Sequence, residues 1–151
     1  MNKKRVIFLI MMISMMCIIF FFSSQNGEKS SSLSNGVFSR IKETFNASID
    51  VGVIRKIAHL TEYLFLGVTA ILYLGTFNNS DEKMMAIATS ICVLYAFSDE
   101  FHQYFISNRD GRITDVLIDS IGSMLGITII MLIILINRRK NDKKVTIWHL
   151  N

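Results

Sequence analysis

Four long apolar segments constrain this chain more than any other feature of its sequence. They cover residues 6–22, 57–77, 84–105 and 113–136, and each is close to the length that a helix needs to cross a hydrocarbon core about 30 Å thick. A chain that is 51% hydrophobic and contains no proline does not have the composition of an ordinary soluble domain. We therefore predict an all-α membrane protein, a four-transmembrane-helix bundle that forms one domain over residues 1–151.

The third segment reaches this length only if it includes a dense polar group at its end. Its apolar run lasts from Met84 to Phe97, which is too short to cross, and the continuation to Phe105 contains two carboxylates, an imidazole and an amide. No helix breaker separates the two parts, so we expect the polar group to lie within the helix. Polar residues are costly there, and their presence indicates a function.

The first segment also has the basic start and apolar run of a signal peptide, because Lys3, Lys4 and Arg5 precede it. No small-x-small cleavage site follows, only Phe20-Phe21-Phe22-Ser23-Ser24-Gln25. We therefore expect an uncleaved first span, followed by an outer loop over residues 23–55.

The distribution of Lys and Arg predicts the orientation of the spans. These residues are more than twice as dense in segments 1–5, 78–83 and 137–151 as in segments 23–56 and 98–112. Because cytoplasmic flanks carry the excess of basic residues, we expect both termini in the cytoplasm. The formal net charge of +4 arises from these flanks and not from a basic face, so we expect no nucleic-acid partner.

This orientation places the unusual polar residues of the last three spans at the outer end of the bundle. Helical spacing puts Lys56, His59 and Tyr63 on one face of the second span, and Asp115 with Asp119 on one face of the fourth. A carboxylate such as Asp119 costs about 2.5 to 3.5 kcal/mol where it faces lipid at depth, so we expect it to lie against neighbouring helices. A structural ion pair and a functional role both remain open for it.

Two glycines continue the Asp115 and Asp119 face of the fourth span. Gly122 and Gly126 follow at helical spacing, so the lower half of this face carries only small residues at these positions. Small faces let a neighbouring helix backbone approach closely in a membrane. We therefore expect this face to pack against another helix.

The residue types in the polar group suit acid–base chemistry and the binding of an anionic headgroup. A histidine beside a carboxylate can move protons near neutral pH. The candidate catalytic residues are His59, Asp99, Glu100, His102 and Asp115. The candidate substrate-binding residues are Lys56, Gln103, Arg109, Asp119, Ser24 and Gln25. Lys56 and Arg109 are also explained more simply as residues that reach the membrane interface.

The spacing of two pairs in this group also suits metal ligands on adjoining helices. They are His59-x-x-Glu62 and Asp99-x-x-His102. The chain contains no HExxH motif, and Cys17 and Cys92 read as apolar packing residues inside the spans. A hydrogen-bonded carboxylate and histidine pair is the more economical interpretation, so we expect no metal and no other cofactor, although the sequence alone does not decide whether a metal is bound.

Several of these residues resemble those of the VanZ-like membrane proteins. The similar elements are Phe21-Phe22-Ser23-Ser24-Gln25, Lys56-x-x-His59-x-x-x-Tyr63, Tyr95-Ala96-x-Ser98-Asp99-Glu100-x-His102-Gln103-x-Phe105, and then Arg109, Asp115, Asp119 and Gly122. The resemblance covers about residues 20–127, and its Ser-Asp-Glu-x-His-Gln element is specific. That family is named for a protein that accompanies glycopeptide-resistance genes and gives low-level resistance to teicoplanin. The resemblance implies a multi-pass protein of the bacterial cytoplasmic membrane with a role in the envelope.

The predicted outer position of the polar group and the resemblance to VanZ-like proteins together favour an envelope protein. Such a protein would act at the outer face of the membrane and modulate susceptibility to lipoglycopeptides such as teicoplanin. Its expected partners are membrane lipids and either a lipid-linked envelope precursor or a lipoglycopeptide. Two alternatives stay open. One is a membrane-embedded acid/base enzyme acting on a lipid-linked or phosphorylated envelope substrate, and the other is a small proton-coupled transport or relay protein. The sequence does not decide between enzyme, binder and transporter, or whether the chain forms a homo-oligomer.

Overall fold

The computed structural model describes residues 2–25, 51–106 and 112–148, and the side chains of all of these except residues 51 and 141–148. Within this part of the chain the architecture is helical. The helices are α1 (Lys3–Ser23), α2 (Val51–Leu74), α3 (Asp81–Gln103) and α4 (Ile113–Trp148). Each is long and apolar enough to cross a membrane, which confirms the predicted four-helix membrane fold.

Two helices extend well beyond one end of the spans predicted for them. Helix α2 begins at Val51, so the last residues of the predicted 23–55 loop are helical. Helix α4 continues to Trp148, beyond the predicted end of its span at residue 136. The basic residues after 136 end the apolar surface but form helices well, and no glycine or proline follows Gly126 to stop the helix.

One end of the bundle is held by basic residues. The Arg5 guanidinium at the start of α1 donates to the Thr76 carbonyl at 3.1 Å and lies over the Phe77 ring, 4.0 Å from its centroid. The Arg138 guanidinium of α4 lies 2.7 Å from a carboxylate oxygen of Asp81, at the start of α3. These contacts put the starts of α1 and α3 at the same end as the turn after α2. The polar residues of α2, α3 and α4 therefore share the opposite end, as predicted.

Helix α2 is the centre of the bundle and contacts the other three helices, most extensively α4. A Cβ atom on Gly122 would overlap the carbonyl of Leu60, and one on Gly126 would overlap the carbonyl of Leu64. Gly67 of α2 meets the backbone of α4 in the same way. Lipid removes most of the hydrophobic drive between helices, so close packing of this kind is what holds them together. The close approach expected at the small face of α4 is thus confirmed, with α2 as the neighbour.

Helix α1 attaches to α3 through a polar contact near the middle of the bundle. The Tyr95 hydroxyl of α3 donates to the Met16 carbonyl of α1 at 2.6 Å. The Tyr95 ring also lies 6.3 Å from that of Tyr63, centroid to centroid. Helices α1, α2 and α3 therefore meet around these two tyrosines, just below the polar end.

Candidate functional site

Buried polar residues collect at one end of the bundle, between α2, α3 and α4. Asp99 and Glu100 of α3 are 3% and 5% exposed, and Asp119 of α4 is fully buried. The ring of His59 from α2, with its side chain 14% exposed, completes the group. Ligand atoms of His59, Asp99 and Glu100 all lie within 4.8 Å of one another. These four predicted site residues form what we call the acid–histidine cluster.

His59 and Asp119 face each other across the contact between α2 and α4. The Nδ1 atom of His59 lies 3.6 Å from Oδ1 of Asp119, a distance longer than that of an ordinary hydrogen bond. Among the described residues, neither carboxylate oxygen of Asp119 has a hydrogen-bond partner. A shift of a few tenths of an ångström would turn the contact into a hydrogen bond, with the ring nitrogen as donor.

Gln103 links the two carboxylates of α3. Its Nε2 atom donates to Oδ2 of Asp99 and to Oε1 of Glu100, at 3.1 Å in each case. The second oxygen of Glu100 accepts from the backbone N–H of Arg112 at 2.9 Å, immediately before α4. The Gln103 amide thus orients the carboxylates of the cluster, and its role in binding substrate stays a prediction.

His102 lies on a different face of α3 and points towards α1. Its Nε2 atom is 3.3 Å from the Ser24 hydroxyl, and its ring stacks on Phe20 with the centroids 4.8 Å apart. Around the helix, Gln103 falls between the directions of Asp99 and Glu100, whereas His102 falls on the far side of Asp99. His102 and Ser24 thus form a second polar contact, separate from the acid–histidine cluster.

A cleft of about 240 Å³ lies beside this second contact. His102 and Phe20 line it, together with Asp99, Ser98 and Phe101. Asp99 therefore borders both the cleft and the acid–histidine cluster. It is the residue through which a molecule in the cleft would contact the buried carboxylates.

The remaining predicted site residues lie at the rim or outside the described residues. Lys56 is exposed, and it lines a small pocket with His59 and Asp115. Asp115 is close enough to Glu100 and Asp119 to interact with both electrostatically. Gln25 is partly buried just after α1. Arg109 falls outside the described residues.

Sequence reasoning did not place Tyr63 and Phe20 in the site. Tyr63 is fully buried, and its hydroxyl has no hydrogen-bond partner in the part of the chain that the structure describes. It lies near all three buried carboxylates of the cluster. Its position four residues after His59, on the same helix face, was the available signal. Phe20 belongs to an apolar run, where nothing distinguishes the ring that stacks on a histidine.

The sequence profile of the VanZ/LLP1 family matches residues 8–135 of the chain. The matched range contains the acid–histidine cluster, the cleft and the glycine contacts between α2 and α4. Comparisons with curated proteins and with solved structures found no match. The profile match confirms the resemblance seen in the sequence, and the chain belongs to the VanZ/LLP1 family.

Proposed function

We propose that this chain is an envelope protein of the bacterial cytoplasmic membrane that acts at the outer face and modulates susceptibility to lipoglycopeptides such as teicoplanin. The observation that carries this proposal is a buried cluster of three carboxylates and a histidine at one end of the bundle, in a chain of the VanZ/LLP1 family. The Lys and Arg distribution favours an outer location for that end. A teicoplanin-type molecule carries a fatty acyl chain and acts at the same face.

The cleft between α1 and α3 supports binding of a lipid or an acylated ligand. Its lining combines the aromatic rings of Phe20 and Phe101 with the polar groups of Ser98, Asp99 and His102. Its volume of about 240 Å³ is somewhat below the ~300 Å³ at which small-molecule pockets begin. A headgroup or part of an acyl chain fits this volume, and a whole glycopeptide does not. The ligand would therefore bind through one portion and extend into the lipid or the outer aqueous phase.

A second candidate function is an acid/base enzyme that acts on a lipid-linked or phosphorylated envelope substrate. The contact between His59 and Asp119 favours it, because an imidazole oriented by a buried carboxylate is suited to take up or deliver a proton. In that function His59 would exchange a proton with the substrate, and Asp99 and Glu100 would lie within reach of the reacting group.

Expression in a glycopeptide-susceptible Gram-positive host tests the main proposal. We expect the minimum inhibitory concentration of teicoplanin to rise several-fold, with little change for a glycopeptide that lacks an acyl chain. Immunoblots of the membrane fraction control for protein abundance. An unchanged minimum inhibitory concentration of teicoplanin, in cells whose membranes contain the protein at full abundance, would contradict the proposal.

Lipid analysis separates the enzyme from the binder. Envelope lipids from cells expressing the chain would be compared by mass spectrometry with lipids from cells expressing His59→Gln. A lipid species that is formed only with the unaltered chain favours the enzyme. Identical lipid profiles, with the susceptibility difference retained, favour the binder.

A further inference from the structure

We propose that the acid–histidine cluster binds one divalent transition-metal ion, with His59, Asp99 and Glu100 as ligands and Asp119 orienting the histidine. Such a site does not depend on the function proposed above. It assigns a cofactor class to a chain whose sequence contains none of the usual metal-binding motifs.

The donor atoms of three cluster residues lie close to one another. One ligand atom from each of His59, Asp99 and Glu100 lies within 4.8 Å of the other two. Ligands of a tetrahedral zinc site, at about 2.0 to 2.2 Å from the ion, are about 3.5 Å apart. Side-chain movements of about 1 Å would therefore bring the three donors into a coordination sphere, without moving a helix.

The types of donor atom in this set indicate the class of metal. One imidazole nitrogen and two carboxylates form a mixed nitrogen and oxygen donor set. Such a set suits Zn²⁺ or Mn²⁺, whereas Mg²⁺ and Ca²⁺ typically bind at sites made only of oxygen donors. Three protein ligands leave at least one coordination position for water or for an oxygen of a bound ligand. Asp99 also borders the cleft, so such a ligand could approach from that side.

Two buried polar groups, the Asp119 carboxylate and the Tyr63 hydroxyl, have no hydrogen-bond partners among the described residues. Asp119 is fully buried, and neither of its carboxylate oxygens has a hydrogen-bond partner among the described residues. Its Oδ1 atom lies 3.6 Å from Nδ1 of His59. If Nε2 of His59 binds the ion, Nδ1 carries a proton that this carboxylate accepts, an arrangement common around metal-bound histidines. The Tyr63 hydroxyl is the other such group, and it lies near the same carboxylates.

Net charge also favours a cation at the cluster. Three ionised carboxylates beside the neutral imidazole of a metal-bound histidine carry three negative charges. Buried negative charge is costly at membrane depth, and a divalent ion lowers the charge of this group of four side chains from −3 to −1. The nearby cation Lys56 is exposed, and it lines a small pocket at the rim of the cluster together with Asp115.

Metal binding to the purified full-length chain in detergent tests the site. After removal of bound metal with a chelator, titration with Zn²⁺ and Mn²⁺ is expected to give one tight site per chain, with weaker binding of Mg²⁺ and Ca²⁺. Asp99→Asn and Glu100→Gln are expected to weaken binding at least tenfold, and Asp119→Asn about 10- to 100-fold. The matched control is Glu82→Gln, which makes the same chemical change in the exposed first turn of α3 and is expected to bind as the unaltered chain.

A spectroscopic measurement on the unaltered chain guards against variants that fail to fold. The electron-spin-echo spectrum of bound Mn²⁺ is expected to show coupling to an imidazole nitrogen, and His59→Gln is expected to remove that coupling. Absence of a stoichiometric site, equal affinity in Glu100→Gln, tighter binding of Mg²⁺ or Ca²⁺, or a spectrum without nitrogen coupling would each overturn the proposal.

Discussion

The Nδ1 atom of His59 lies 3.6 Å from Oδ1 of Asp119, and the packing of two helices sets this distance. Leu60, the neighbour of His59, touches Gly122, which follows Asp119 by one turn of α4. The backbones of α2 and α4 approach closely because no side chain separates them there. The geometry of the acid–histidine cluster therefore depends on a glycine that has no polar role.

Gly122→Ala is expected to damage both the packing and the site. The added Cβ atom would overlap the Leu60 carbonyl, and forcing the helices apart is expected to lower the free energy of unfolding by about 1 to 3 kcal/mol. It should also widen the gap between His59 and Asp119. Unfolding in a mixed-detergent titration measures the stability change.

Gly75→Ala is the matched control for that change. A Cβ atom at Gly75 would have Ile71 and Leu72 carbonyl oxygens as its nearest neighbours, at 3.3 and 3.5 Å, so only a small adjustment is needed. Equal stability of Gly122→Ala and Gly75→Ala would show that the close contact does not hold α2 and α4 together.

The His59 and Asp119 pair is expected to show a larger coupling energy than an ordinary polar contact in a membrane. Such contacts average about 0.6 kcal/mol and reach about 1.7, and we expect His59 and Asp119 near the upper value because Asp119 is fully buried. A double-mutant cycle with His59→Gln and Asp119→Asn measures this energy.

The pair of Arg138 and Asp81 at the other end of the bundle is the comparison. Their side chains are 55% and 32% exposed, so we expect a coupling of about 0.5 kcal/mol or less from Arg138→Gln and Asp81→Asn. A coupling at the buried pair no larger than at this exposed pair would mean that His59 and Asp119 are neighbours without a significant interaction.

The sequence predicted the fold well because membrane-length apolar runs leave few alternatives to helices. Polar positions at the ends of three such runs also predicted that His59, Asp99 and Asp119 would share one end of the bundle. The end of α4 was predicted less well, because Arg138 and its basic neighbours limit the apolar surface and not the helix. Hydropathy locates a span, and helix propensity locates the helix end.

The arrangement inside the site was only partly predictable. Helical spacing showed that Asp99, His102 and Gln103 lie near one another on α3, but not which of them faces α1 and which faces α2 and α4. That division depends on the rotation of α3 in the bundle, which the packing of all four helices sets. The close neighbour of His59 is accordingly Asp119, whereas His102 meets Ser24.

Cysteine labelling in intact cells tests the predicted orientation. In a background with Cys17→Ala and Cys92→Ala, Ser31→Cys is expected to react with a membrane-impermeant maleimide, whereas Asp142→Cys is expected to react only after lysis. Both positions are polar, so detergent-lysed cells provide the control for reactivity. The reverse pattern would put the acid–histidine cluster at the cytoplasmic face and would contradict an action at the outer face.

Asp99→Asn tests most directly whether the cluster is functional or only structural. Asparagine keeps the size of the side chain and an oxygen that can accept from Gln103, and single polar contacts between membrane helices contribute only about 0.6 kcal/mol on average. The decisive measurement compares thermal unfolding of the purified variant with growth of the same strain in teicoplanin. We expect a nearly unchanged melting temperature, normal abundance in the membrane and loss of the susceptibility phenotype. A phenotype that falls only in step with protein abundance would contradict the functional role and leave the cluster as a buried structural network.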